Sequence, residues 1–134
     1  RSIANSGHVA AFDAVKPFFG AKQDKVRVAA VDAIRLMQRP EIDPIVAASL
    51  TDSQPDVQLA AVDAIGVREP SDTLVKALGP AADRIEKVST RVRLVRVMGQ
   101  FLPKRPELRA TLEKLAASDP SGDVQKAARA ALGS

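Results

Sequence analysis

The sequence predicts an all-α fold: an α-solenoid of about four stacked helical hairpins, one domain over residues 1–134 and part of a longer array. Three observations predict it. A nine-residue run returns at near-constant spacing, each copy is apolar with a helical period, and prolines separate the copies. VRVAAVDAI at 26–34 recurs as VQLAAVDAI at 57–65, then more loosely as TRVRLVRVM at 90–98 and VQKAARAAL at 124–132, in steps of 31, 33 and 34 residues. A fixed period of that size marks a repeat architecture, in which one unit cannot bury its apolar side alone and must stack on the next.

Each recurring run is a helix by its spacing, with Val26, Ala29 and Ala30, Ala33 and Ile34, and Met37 about one turn apart. These are termed the B helices. Shorter apolar-periodic segments alternate with them as A helices: Val9, Phe12, Val15 and Phe19, then Ile42, Ile45, Val46 and Leu50, then Leu74, Val75 and Leu78, then Leu108, Leu112, Leu115 and Ala116. Pro40, Pro55, Pro70, Pro103 and Pro120 are expected between helices, with Ser71 and Asp72 as an N-cap. Pro17 is expected to end or kink the first A helix, and the third A helix to stop at Gly79-Pro80, with a long link over 81–86. The short alternations VRV and VRLVRV suggest strand, but each lies inside a longer helical run. The units are approximately 8–38, 41–68, 71–102 and 104–133, with residues 1–7 as the tail of a preceding unit. An apolar end left uncovered there predicts weak end-to-end self-association. Neither Arg1-Ser2 nor Gly133-Ser134 is expected to carry function.

Composition narrows the chemistry. The chain is 46% hydrophobic but only 3% aromatic, so Phe12, Phe18, Phe19 and Phe101 are its only rings and the core is aliphatic. With no Cys, a disulfide scaffold, a zinc-cysteine site and thiol catalysis are excluded; the lack fits any compartment and leans only slightly to the cytoplasm. No apolar run approaches the ~20 residues that cross a bilayer, and no membrane insertion is expected.

The period alone fits several helical repeats, but the tetratricopeptide pattern needs Trp and Tyr, and no T-P-L-H run suggests ankyrin. The segments DKVRVAAVDAIR (24–35), LTDSQPDVQLAAVDAIG (50–66) and LAASDPSGDVQKAARAALG (115–133) resemble HEAT repeats, in particular the short bacterial HEAT-like class related to phycobilisome lyase repeats. The resemblance covers almost the whole chain. It implies an inter-repeat ladder in which an Asp in the inter-helix turn meets an Arg placed early in a B helix. Only part of that ladder is kept: Asp52 and Asp119 stand six residues before Gln58 and Gln125, while Arg27 and Arg91 have Ala21 and Ile85 in the acid's place. The resemblance implies Arg27 with Asp52 and Asp52 with Arg91, and each Gln bonded to a neighbouring Asp. The third unit departs further, with Arg93 where its counterparts are Ala29, Ala60 and Ala127.

Charge is uneven. Of a net +4, residues 83–114 hold nine basic and four acidic groups, or +5, leaving −1 for the rest. That bias suits an acidic protein or nucleic acid, but solvation of otherwise apolar helices accounts for it better, since no aromatic platform accompanies the charges. HEAT-like DNA glycosylases, which the chain resembles in repeat type, place aromatic residues and a carboxylate on the concave face, and this chain has no Trp or Tyr to offer. Helical phase puts Thr90, Leu94, Val97, Met98 and Phe101 inside the third B helix and Ser89, Arg93, Arg96 and Gln100 outside. Shifting by the repeat steps aligns Asp56, Ala60, Asp63 and Val67, and Lys25, Ala29, Asp32 and Leu36. A ridge Asp32, Asp63, Arg96 results, with an Asp63–Arg96 ion pair expected along it.

The candidate partner-binding residues are therefore Asp32, Asp63, Arg93, Arg96 and Gln100. The ladder residues are Arg27, Asp52, Gln58, Arg91, Asp119 and Gln125. No catalytic, metal or cofactor site is expected: Asp32 and Asp63 lack a third ligand or a desolvated pocket, and His8, the single histidine, reads as a surface or capping residue. The expected function is a non-catalytic scaffold that binds another protein. Nucleic-acid binding through the third and fourth units stands behind it, followed by a lyase-like or lipid-transfer helical module of a larger protein.

Overall fold

The computed structural model describes residues 12–133, and His8 and Val9 lie outside that range. All regular structure among the described residues is helical. After a helical stretch at 12–15 comes a 3₁₀ turn, Lys16–Gly20, with Pro17 in its first turn, where the missing N–H costs nothing. Seven α-helices follow: α1 (Asp24–Ile34), α2 (Ile42–Ser49), α3 (Pro55–Gly66), α4 (Asp72–Arg84), α5 (Val88–Phe101), α6 (Leu108–Ser118) and α7 (Gly122–Ala131). The B runs are α1, α3, α5 and α7, and the A runs after the first are α2, α4 and α6.

Helix starts follow local chemistry. Pro55 opens α3 at a position where its fixed φ suits the helix. Ser71 Oγ accepts from Leu74 N at 3.3 Å and Ser121 Oγ from Val124 N at 3.4 Å, each relieving one otherwise unpaired donor. At the C-terminus, Gly133 takes φ +82°, a left-handed close that favours glycine.

The expectation for Gly79-Pro80 is corrected. α4 runs through Pro80 to Arg84. Proline here removes only the one donor that would reach residue 76. The turn beyond it is held by the buried side chains of Ala81, Ala82 and Ile85, so burial outweighs the lost bond.

Packing joins each B helix to the next, α1 to α3, α3 to α5 and α5 to α7, while α2 lies along α4 and each A helix against its following B helix. One apolar cluster runs through these contacts, from Phe12 through Ile34, Ile42, Ile65, Leu78, Leu94, Met98 and Leu112 to Val124 and Ala128. It is aliphatic apart from two buried rings, Phe12 and Phe101; Phe19 packs partly against it, while Phe18 is half exposed. The small residues of the repeat let the helices approach closely. Gly99 sits where a Cβ would stand 2.8 Å from the Cβ of Ala131, and a Cβ on Gly66 would meet Val97 at 3.4 Å.

Candidate functional site

The ladder is built at the edge where each hairpin turns. Arg27 on α1 reaches forward to the next turn, its Nε donating to Asp52 Oδ2 at 2.8 Å and its Nη2 to Oδ1 at 3.1 Å. Its Nη1 donates to the carbonyls of Ala21 and Lys22 in its own turn. Arg91 on α5 repeats this in the next-but-one hairpin: Nη1 donates to Asp119 Oδ2 at 2.8 Å, and Nε and Nη2 share the Ala82 carbonyl. The expected Asp52–Arg91 pair is thus corrected. A B-helix guanidinium meets the acid of the following turn, and Asp119, not Asp52, follows Arg91.

Gln58 and Gln125 do not bond to a neighbouring carboxylate either. Their Nε2 groups donate at 2.8 Å to the backbone carbonyls of Asp52 and Asp119 in their own turns. The turn ahead of Gln58 carries Ile85 in the acid's place, so an Arg at 58 would find no partner. Gln is neutral and closes on its own turn instead. Both acids are strongly held: Asp119 is nearly fully buried, and its carboxyl lies below the ordinary range because of the Arg91 hydrogen bond and the Ser121 N–H. For Asp52, partial burial pushes upward, but the bonds from Arg27 and the Gln54 N–H outweigh it and the net direction is down.

A second ladder occupies the opposite edge, among the loops that join successive hairpins. Arg68 is buried there, its Nε donating to Asp43 Oδ1 at 2.6 Å and its Nη1 to the carbonyls of Arg35 and Met37 in the preceding loop. Arg105 reaches back in the same way, with Nη1 2.6 Å from Asp72 Oδ1 and Nε donating to the Pro70 carbonyl. Helical periodicity does not flag these arginines because they lie outside the helices. The signal that would have found two of the loop arginines is the repeated tripeptide Arg39-Pro40-Glu41 and Arg105-Pro106-Glu107, where each Arg also bridges its own Glu, at 2.5 and 3.2 Å. Arg39 further lies 5.0 Å over the Phe12 ring.

The predicted partner-binding residues lie on the outer face of the B helices, and they divide into two kinds. Asp63 accepts from Arg93 at 2.7 Å across the α3–α5 seam, and Gln100 Nε2 donates to the Gly66 carbonyl at 2.7 Å across the same seam. The expected Asp63–Arg96 pair is therefore corrected to Asp63–Arg93. Arg93 stands at the place of Ala29, Ala60 and Ala127, and it spans the one seam whose turn edge has no Arg–Asp rung among the described residues. Asp32 and Arg96 are exposed and make no ion pair among those residues. Ala60, phased to the outer face, is buried instead, because α3 has a B helix on each flank.

Two open grooves cut this face. The one between α1 and α3, about 340 Å³, has a floor of Val28, Leu59 and Ala60 and is lined by Lys25 with Asp32, Asp56 and Asp63, a net −2. The one between α5 and α7, about 1080 Å³, is lined by Arg93, Arg96 and Lys126 with Asp123, a net +2, over Val92, Ala127, Ala130 and Ala131. The basic bias is already partly neutralised: of the nine basic residues over 83–114, Arg91, Arg93, Lys104 and Arg105 have acidic partners. No group of three metal-ligating side chains occurs among the described residues, and no described helix is long and apolar enough to cross a membrane. Set against family models, curated proteins and solved structures, the chain has no match in any of the three.

Proposed function

We propose that the chain is an α-solenoid of HEAT-like hairpins, with no catalytic activity of its own, and that it binds another protein on the face formed by α1, α3, α5 and α7. The observation that carries this reading is the continuity of that face. Four helices lie side by side in one register, with rungs on the edges and apolar packing behind, so that exposed groups are presented at fixed spacing. Asp32, Asp56, Arg96 and Lys126 face solvent without ion-pair partners among the described residues, and Leu36 and Val67 add exposed apolar contacts at the C-terminal ends of α1 and α3.

Nucleic-acid binding ranks second because four of the nine basic groups in its candidate region are held by acids. The test is quantitative affinity capture with the wild type and an Asp32→Ala/Arg96→Ala variant, beside a salt series against mixed-sequence DNA and RNA. Both substitutions fall on exposed residues without ion pairs, so the fold is left intact. A protein retained by the wild type and lost from the variant supports the reading. Tight nucleic-acid binding that falls steeply with salt and is weakened by the variant overturns it.

A further inference from the structure

The binding face has a polarity that selects its partner. Its acidic groove lies between α1 and α3 and its basic groove between α5 and α7, while the seam between them is bridged by Asp63–Arg93 and Gln100–Gly66, with the Asp63 side chain still 38% exposed. A complementary surface must place positive charge over the first groove and negative charge over the second, two helices away. At 8–10 Å between helix axes, that separation is about 20 Å.

This chain's own face meets the requirement. A half-turn about an axis parallel to the B helices, lying in the contact plane at the α3–α5 seam, sets α1 of one copy over α7 of the other and α3 over α5. The repeat register then decides what meets what. Lys25 falls opposite Asp123, and Asp63 opposite Arg96; Asp56 meets Ser89, and Asp32 meets Ala130. No level of the face sets like charges against each other. The other in-plane half-turn, about an axis across the helices, folds each helix onto its own copy, so that the acidic groove meets the acidic groove and the basic groove the basic. Charge complementarity therefore favours the first arrangement.

We propose that the α1/α3/α5/α7 face forms a two-fold interface with a second copy of this chain. The proposal rests on the reading of that face as a binding surface, and it names the occupant. Four helices of this length present roughly 700 Å² per copy, near the lower end of specific interfaces, so the dimer is weak and charge-dependent.

The experiment is sedimentation of the whole chain from 10 µM to 1 mM (about the range in which so small an interface is populated) at low and high salt. The expected result is a monomer–dimer equilibrium whose Kd rises about tenfold or more when salt is raised. Arg96→Asp, on an exposed residue without an ion pair, weakens association about tenfold by setting a carboxylate against Asp63. Lys25→Asp weakens it similarly, and the Lys25→Asp/Asp123→Lys double variant restores it. Circular dichroism melts check that each variant remains folded. A chain monomeric at 1 mM, or a dimer indifferent to salt and to both single substitutions, overturns the proposal. In either case the wild-type capture experiment still decides whether the same face binds another protein, so the two readings fail separately.

Discussion

Arg91 clamps two hairpins at once: its guanidinium donates to Asp119 in the turn ahead and to the Ala82 carbonyl in the last turn of α4, in its own hairpin. The Asp119 side chain is 2% exposed and that of Arg91 12%, so removing Asp119 leaves the Arg91 charge largely away from water without its counter-ion. Asp119→Ala is expected to cost about 3 kcal/mol, measured by urea unfolding. A loss below about 1 kcal/mol would show the rung to be an ornament of an already rigid stack.

Acid should weaken the same joint. The folded-state pKa values of Asp119 and Asp52 both lie below the ordinary carboxylate range. The folded chain therefore takes up these protons less readily than the unfolded chain. The stability they contribute is fully present above about pH 4, where the unfolded carboxylates ionise, and is lost as pH falls through the folded values. Unfolding at pH 7, 4 and 2.5 should show the wild type's advantage over Asp119→Asn shrinking across that window. An advantage that stays constant down to pH 2.5 would contradict the assignment.

Thr90 departs from its counterparts Val26, Val57 and Val124, and its hydroxyl is buried without a hydrogen-bond partner in the structure. Thr90→Val keeps the shape and removes the stranded polar atom. We expect a gain of about 1 kcal/mol and a melting temperature several degrees higher. Destabilisation instead would mean that the hydroxyl is satisfied in solution.

Two glycines at matching places should respond differently to alanine. Helix propensity favours alanine by about 1 kcal/mol at either. At Gly99 the new methyl would stand 2.8 Å from Ala131 Cβ and 3.3 Å from its Cα, so α5 and α7 must separate, and a net loss of about 1–3 kcal/mol is expected. At Gly66 the nearest contact is Val97 Cγ2 at 3.4 Å, and the change should be near neutral. Paired thermal melts of the two variants make the comparison, and equal effects would argue against close approach at α5–α7.

Most of the helices were legible because their apolar residues recur at a helical period and burial enforces that period. Ile42, Val46, Leu74, Leu78, Leu108 and Leu112 were all expected inside and are buried. Arg27–Asp52 was legible through the HEAT-like spacing. The partner of Arg91 was not, because two turn acids lie one hairpin away and spacing alone gives no direction along the stack. Pro80 misled because a proline's local cost is visible in sequence while the anchoring of Ala81, Ala82 and Ile85 behind it is tertiary. Arg93 reads as a recognition group in the sequence because its exposure is visible there and its bond to Asp63 is not.

The rungs are not evenly distributed, and this gives the molecule a grain. Among the described residues, the turn edge is fastened by Arg27–Asp52 and again by Arg91–Asp119, but between α3 and α5 it is bridged by neither. There the fastening shifts to the outer face, at Arg93–Asp63 and Gln100–Gly66, and to the loop edge at Arg105. A sheet of material pinned along one margin and loose along the other flexes about the pinned line. The softest bending motion of this chain should therefore swing its two halves about the α3–α5 seam, opening at the turns around Asp52 and Ile85 while the spacing of Asp63 and Arg93 stays nearly constant.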